Sequence, residues 1–336
     1  MEPNPIPAKQ SVCALVESKA RLHLGFLDMS GTLGRRFGSL GLSIDAFSTR
    51  VRVEPSLRMH AEGPDSKRGL QYAQRMANEL KLNEGLALTV ESAIPGHLGL
   101  GSGTQLALAV GRAVAALAGA NLSTRDVAAV LQRGARSGIG IGAFDEGGFL
   151  VDSGVGADGC VPPVTARLPF PAEWRVLLVL DARGQGLHGR QELEAFRRLP
   201  PFPRELAAHL CHLTLMQILP GIDECRLQPV AEGIAELQRR VGDHFASAQG
   251  GRFTSPAVAD ALQWIESLGF PGIGQSSWGP TGFALLPGER EALEILAEAR
   301  QRFGDLSPLR FRVARGFNEG SLVAYAPTMD IAKEHH

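Results

Sequence analysis

Apolar and polar positions along this chain follow two different periods, and the periods separate strands from helices. Residues 12–17 and 42–53 are rich in β-branched side chains and bounded by glycine or serine, so both predict strands, as do residues 86–92. Residues 69–81 repeat their apolar positions every three to four residues and predict an amphipathic helix. After Ser102, an expected N-cap, the side chains of Leu106, Val110, Ala113 and Leu117 share one helical face. The alanines and glycines around them predict close packing at the centre of a domain. Ser123-Thr124-Arg125-Asp126 has the form of a capping box and predicts a helix running towards Arg133. A strand is expected over 149–152.

Pro162, Pro163, Pro169 and Pro171 then mark a boundary, which divides the chain into domains 1–168 and 169–336. Residues 175–180 are a short apolar run with the character of a buried strand. Helices are expected over 204–219, 230–241 and 255–268, the last with Ser255 as cap and Pro256 at its first position. Residues 282–286, 289–303, 309–313 and 322–325 read strand, helix, strand, strand. This mixture predicts a two-domain α+β fold with an antiparallel component.

Composition narrows the class. The 336 residues suffice for two domains with their own cores. A net charge of −1 gives no electrostatic reason to expect nucleic acid or a membrane surface as partner. Residues 1–10 are polar and proline-rich, unlike a secretory leader, and Arg112 interrupts the longest apolar run. Cys13, Cys160, Cys211 and Cys225 are widely spread, which fits reduced thiols in a cytoplasmic protein better than disulfides or zinc. The closing Glu334-His335-His336 is set aside as a tag remnant. His209 and His212 stand three apart on an expected helix, but no acidic partner at motif spacing makes them a metal pair.

Five blocks carry candidate chemistry. The most informative holds Gly99, Leu100, Gly101, Ser102, Gly103, Thr104 and Gln105, between an expected strand and an expected helix. Glycine allows close backbone approach, and a helix N-terminus offers unpaired N–H groups with a positive dipole end. The two together make an anion site, although a tight connection has the same composition. The second block contains Arg21, His23 and Asp28. In an extended segment Arg21 and His23 share a face, as a cationic site or as the polar end of a strand. The third is the loop with Arg35 and Arg36, a bidentate phosphate grip or a solvated turn. Arg136 opens the fourth, a block running to Gly148 with five glycines and the adjacent carboxylates Asp145 and Glu146. That block is either a ligand-approaching loop whose carboxylates hold Mg²⁺ or a glycine-rich hairpin. Residues 274–282, with Ser276 and Ser277, suit a second phosphate-lining turn, in which Trp278 is a packing residue.

Pro95-Gly96-His97-Leu98-Gly99-Leu100-Gly101-Ser102 resembles the phosphate loop of the GHMP kinase superfamily. Taken with Arg21-Leu22-His23-Leu24-Gly25-Phe26-Leu27-Asp28, Arg136-Ser137-Gly138-Ile139-Gly140-Ile141-Gly142-Ala143-Phe144 and Gly274-Gln275-Ser276-Ser277-Trp278-Gly279-Pro280-Thr281, it resembles one branch in particular. That branch is the β-ribofuranosylaminobenzene 5′-phosphate synthase family of methanopterin biosynthesis. The resemblance implies an N-terminal domain like ribosomal protein S5 domain 2, a ferredoxin-like C-terminal domain and a ligand between them. It implies coupling of phosphoribosyl pyrophosphate to 4-aminobenzoate or 4-hydroxybenzoate, with loss of CO₂ and pyrophosphate, Mg²⁺ as cofactor, a cytoplasmic location and a homodimer. Arg21, His23, Asp28 and Arg136 become the expected catalytic residues. Residues 99–104, Arg35, Arg36, Ser276 and Ser277 become the expected phosphate ligands. The alternative is an ATP-dependent small-molecule kinase of the same fold. Kinase loops continue Gly-Leu-Gly-Ser-Ser-Ala, whereas here Gly103 takes the place of the second serine.

Overall fold

Two long strands, β1 (Val12–Asp28) and β2 (Phe37–Ser56), run antiparallel along most of their length. The computed structural model describes residues 12–184, 186, 189–304 and 308–327; the N-terminal ten residues and His335-His336 lie outside them. β1 pairs with β2 through register shifts at Lys19/Ala20 and His23/Gly25, yet its own two-residue burial period runs unbroken from Ala14 to Leu22. Along its even-numbered positions, Ala14 and Val16 belong to one core, while Ala20, Leu22 and Leu24 belong to another. The strand extends past its expected end at residue 17 to Asp28.

The first sheet has the order β11-β1-β2-β4-β3, with β3 (His60–Glu62), β4 (Gly85–Ser92) and β11 (Leu322–Pro327). β5 (Phe149–Asp152) pairs with β2, and β6 (Val164–Leu168) pairs with β5. α1 (Ser66–Glu79), α2 (Ser102–Leu117) and α3 (Thr124–Val130) share one core with this sheet, centred on Met76, Leu88, Leu106 and Val110. The expected boundary thus contains a strand. The prolines flank β6, which lies at the end of its ladder, where their missing N–H groups cost nothing.

The second sheet has the order β10-β7-β9-β8, antiparallel throughout, with β7 (Arg175–Asp181), β8 (Ile273–Gln275), β9 (Thr281–Leu286) and β10 (Leu309–Ala314). This is the ferredoxin-like order. α9 (Pro256–Ser267) and α10 (Glu289–Phe303) close one face over Leu177, Val179 and Leu286. The other face carries Val176 and Leu178 into a core shared with Leu22, Leu42 and Phe149 of the first sheet. α6 (Arg204–Leu213) continues through a π turn at Thr214–Ile218 into α7 (Leu219–Asp223), and α8 (Leu227–Gln249) packs beside it. Leu210, Ile234 and Leu237 of this layer join the shared core. The chain enters the second sheet after β6 and returns to the first at β11, so the division at 168/169 omits the returning strand.

Two further expectations change. The glycine-rich run after Arg136 folds as a short helix, α4 (Ile139–Asp145). Its glycines keep room for neighbours: a Cβ on Gly142 would stand 2.7 Å from Val164 Cγ2, and one on Gly140 2.9 Å from Thr104 Cγ2. Ser102 does not cap α2; it is the first helical residue, and Gly101 caps with φ of 85°. Ser123 and Ser255 do cap their helices, Ser123 with a full capping box. α5 (Gly189–Arg198) has no counterpart in the sequence reading.

Candidate active site

The Gly-rich loop is held from two directions. Gly99 (φ 81°) and Gly101 (φ 85°) adopt left-handed backbone that other residues reach only with strain. A Cβ on Gly99 would lie 2.2 Å from the carbonyl oxygen of Ser276, and one on Gly279 would lie 2.3 Å from the carbonyl carbon of Leu98. The loop before α2 and the turn after β8 therefore meet backbone to backbone across the two domains. Arg21 Nη1 donates to Gly99 O (2.6 Å), as does Ser276 Oγ (2.8 Å). The backbone N–H of Arg21 donates to Leu100 O (3.2 Å), and that of His23 to Ser276 Oγ (3.0 Å). The N–H of Ser277 returns a bond to His23 O (3.1 Å).

These contacts frame a cleft of about 470 Å³. Arg21, Arg68, Arg133 and Arg136 line it, together with His23, Gly101, Ser102, Gly103 and Thr104; no carboxylate side chain lines it among the described residues. A Cβ on Gly103 would lie 3.6 Å from Arg68 Nη1 and 3.8 Å from Arg133 Nη1, so two guanidinium groups flank the start of α2. Arg133 donates to the Tyr72 hydroxyl, and Arg68 pairs with Asp65. Arg136 lies over the Phe196 ring, 4.8 Å from its centroid. The first N–H groups of α2 have no acceptor within the helix and face this cationic surround. The arrangement is suited to a polyanion whose charge grows as a bond breaks. Burial lowers the pKa of His23 to about 3, with Arg21 and Arg136 adding to the effect, so the ring is neutral at any working pH.

The GHMP kinases N terminal domain model matches residues 69–147, and the GHMP kinases C terminal model matches residues 218–305. The beta-ribofuranosylphenol 5'-phosphate synthase of Methanothermobacter thermautotrophicus is 32% identical over 293 residues, covering 81% of this chain and 88% of the relative. The protein of the same name from Archaeoglobus fulgidus is 31% identical, covering 83% and 90%. The chain belongs to this synthase family. Its fold is that of solved GHMP-type structures at low identity. Mevalonate diphosphate decarboxylase from Enterococcus faecalis superposes with a TM-score of 0.66 at 17% identity, covering 94% of this chain and 100% of that one. Homoserine kinase from Cytophaga hutchinsonii gives 0.62 at 16%, covering 96% and 100%.

In this member of the synthase family the cleft gathers Arg21, His23, Arg136, Gly99, Gly101, Ser102, Gly103, Thr104 and Ser277 of the residues expected from sequence. Leu100 is buried in the shared core and contributes its carbonyl to Arg21. Ser276 is fully buried and serves the loop contacts described above. Four groups lie elsewhere. Asp28 accepts from Ser30 N (2.7 Å), Ser30 Oγ (2.6 Å) and Gly31 N (3.3 Å), closing the turn after β1. Arg35 donates to the carbonyls of Ser153 (2.8 Å) and Gly154 (2.6 Å). Arg36 bridges to Val155 by backbone, and its guanidinium rests over Phe37. Asp145 and Glu146 end α4, roughly 8 Å along the axis from Gly140 at the cleft. Asp145 accepts from Thr124 Oγ1 (2.5 Å), and burial raises its pKa. His209 bonds Glu236 (3.0 Å) at the surface.

The sequence reading gave no site role to Arg68, Arg133 or Phe26, nor to the buried Asp152. The Asp152 carboxylate accepts from Ser39 Oγ (2.5 Å), Ser137 Oγ (3.0 Å) and the N–H groups of Gly138 (3.0 Å) and Gly154 (2.8 Å). It thereby fixes the turn that carries Arg136 and Ser137. Burial raises the Asp152 pKa, against the pull of these hydrogen bonds.

Proposed function

We propose that this protein joins phosphoribosyl pyrophosphate to 4-hydroxybenzoate or 4-aminobenzoate, releasing CO₂ and pyrophosphate, as a step of methanopterin biosynthesis. The observation that carries the reading is the cleft itself: four arginines around a bare helix N-terminus, with no carboxylate among the described lining residues. Such a surface stabilises a departing pyrophosphate, whose negative charge grows as its bond to the ribose C1 breaks. The N–H groups of Ser102 and Gly103 and the guanidiniums of Arg68 and Arg133 take that charge, while Arg21 and Arg136 meet the remaining phosphate and carboxylate. The ring carbon bearing the carboxylate gives its electron pair to C1, and loss of CO₂ returns a pair to the ring. The names of the relatives carry a phenol, which supports 4-hydroxybenzoate as the acceptor.

The same lining weighs against the kinase alternative, since a cleft without a carboxylate has no acidic base for an acceptor hydroxyl. It also bears on Mg²⁺. No carboxylate side chain lines the cleft among the described residues, and Asp145 and Glu146 stand at the far end of α4, so the side chains of the cleft offer Mg²⁺ no acidic ligand. Mg²⁺ belongs instead with the substrate, as counter-ion of the pyrophosphate. A homodimer, implied by the family resemblance, completes the proposal. The test is incubation with phosphoribosyl pyrophosphate, Mg²⁺ and carboxyl-labelled 4-hydroxybenzoate or 4-aminobenzoate. Labelled CO₂ that requires phosphoribosyl pyrophosphate is the expected result. ADP formed from ATP and a small alcohol, without labelled CO₂, would give the cleft to the kinase.

A further inference from the structure

We propose that the aromatic acceptor lies at the inner end of the cleft against Phe26 and Trp278, with its para hydroxyl or amino group donating a hydrogen bond to Nε2 of His23. This rests on the function proposed above and assigns the acceptor subsite within it. A smaller cavity of about 40 Å³ continues behind the cleft, and His23, Phe26, Ser277 and Trp278 line both spaces. The wall between them is aromatic. Phe245 stands 4.4 Å from Trp278 between ring centroids, Phe196 stands 5.3 Å from Trp278, and Phe26 stands 4.7 Å from His23. A flat ring gains contact from such edge-on partners beyond its area alone. The other end of the cleft, at Gly101, Arg68 and Arg133, is polar and suits phosphate. The two chemistries therefore separate along one channel.

His23 supplies the second observation. The residue is 5% exposed, and its Nε2 is buried without a hydrogen-bond partner among the described residues. A neutral imidazole carries its proton on one ring nitrogen and a lone pair on the other, so with the proton on Nδ1 the buried Nε2 is an acceptor. A buried polar atom of this kind is costly until a ligand completes it. The nearby polar side chains do not need one. Gln238 donates to Leu24 O (2.6 Å) and accepts from Gln275 N (2.8 Å), while Gln275 donates to Ser277 O (2.9 Å) and accepts from Thr254 N (2.6 Å). Because His23 stays neutral, it offers a lone pair and no positive charge. Arg136, close enough to depress the His23 pKa and seated on Phe196, is the cation for the acceptor's carboxylate. When the ring carbon bonds to C1, the para O–H or N–H turns acidic, and its proton is shared with Nε2. Loss of CO₂ restores the ring's electrons and returns the proton, so no net proton is gained or lost.

The test is calorimetric binding of 4-hydroxybenzoate and of benzoate, which lacks the para group, to the wild-type chain and to His23→Leu and Trp278→Leu. The wild type should prefer 4-hydroxybenzoate by about tenfold, the worth of one buried hydrogen bond. His23→Leu should bring that preference close to one, with affinity for phosphoribosyl pyrophosphate kept. Trp278→Leu should weaken both acids by about tenfold and keep their ratio, since it removes ring contact only. A wild type that does not distinguish the two acids, or a His23→Leu chain that keeps the full preference, would overturn the assignment. These outcomes concern binding alone. Labelled CO₂ release by the wild type judges the proposed function separately, so each reading fails on its own measurement.

Discussion

Arg21 organises the cleft before any ligand enters. Its Nη1 holds the Gly99 carbonyl, its backbone N–H holds that of Leu100, and its side chain packs where a Cβ on Gly101 would stand 3.2 Å away. A lysine keeps the charge but loses the planar fork that can hold the loop and a phosphate together. We expect Arg21→Lys to fold normally and to lose about a hundredfold in kcat/KM, roughly the 3 kcal/mol of one transition-state contact. Steady-state kinetics with circular dichroism as a folding control measures this; an unchanged rate would leave Arg21 as loop support only. At this scale the sequence was informative wherever the site is contiguous. Arg21 and His23 sit two apart on one strand, and residues 99–104 are one unbroken string. Arg68, Arg133 and Phe26 reach the cleft from α1, from the turn after α3 and from the bulged end of β1. Packing alone brings them together, and no local spacing records it.

The element that decides function is the junction of two turns, one before α2 and one after β8. Gly99 and Gly279 let those backbones meet at distances no side chain tolerates. The contact fixes the loop by parts of both domains, so the helix N-terminus is presented already ordered. Gly99→Ala should therefore cost about 1–3 kcal/mol in urea unfolding, from positive-φ strain and the clash with the Ser276 carbonyl. It should also raise the KM for phosphoribosyl pyrophosphate more than that for the benzoate. Equal effects on both substrates would mean that the junction supports the whole cleft and not the phosphate end. Most elements were legible from periodicity, including the capped starts of α3 and α9. α4 was left open because two glycines in seven residues lower helix propensity. Close packing of Gly140 on Thr104 and Gly142 on Val164 overrides that preference. β1 was cut short because Ser18, Lys19, Arg21 and His23 bring polar side chains into the run, although its even-numbered positions stay small or apolar and buried.

Over the whole molecule, a net charge of −1 conceals a cationic cleft at the meeting of two sheets. The shared core from Leu22 and Leu42 to Val176 and Leu178 joins the domains, and β11 ties the end of the described chain back to β1. Neither feature was readable from sequence, since periodicity identifies a strand at 322–325 without naming its partner. The central claim is that this one channel holds phosphoribosyl pyrophosphate at the start of α2 and the acceptor ring beside His23. A crystal structure with phosphoribosyl pyrophosphate, Mg²⁺ and unreactive benzoate tests it most directly. The account predicts pyrophosphate oxygens at hydrogen-bond distance, about 3 Å, from the N–H groups of Ser102 and Gly103 and from Arg68 and Arg133. It also predicts the benzoate ring between Phe26 and Trp278. Pyrophosphate bound away from α2, or benzoate outside the inner end of the cleft, would contradict it.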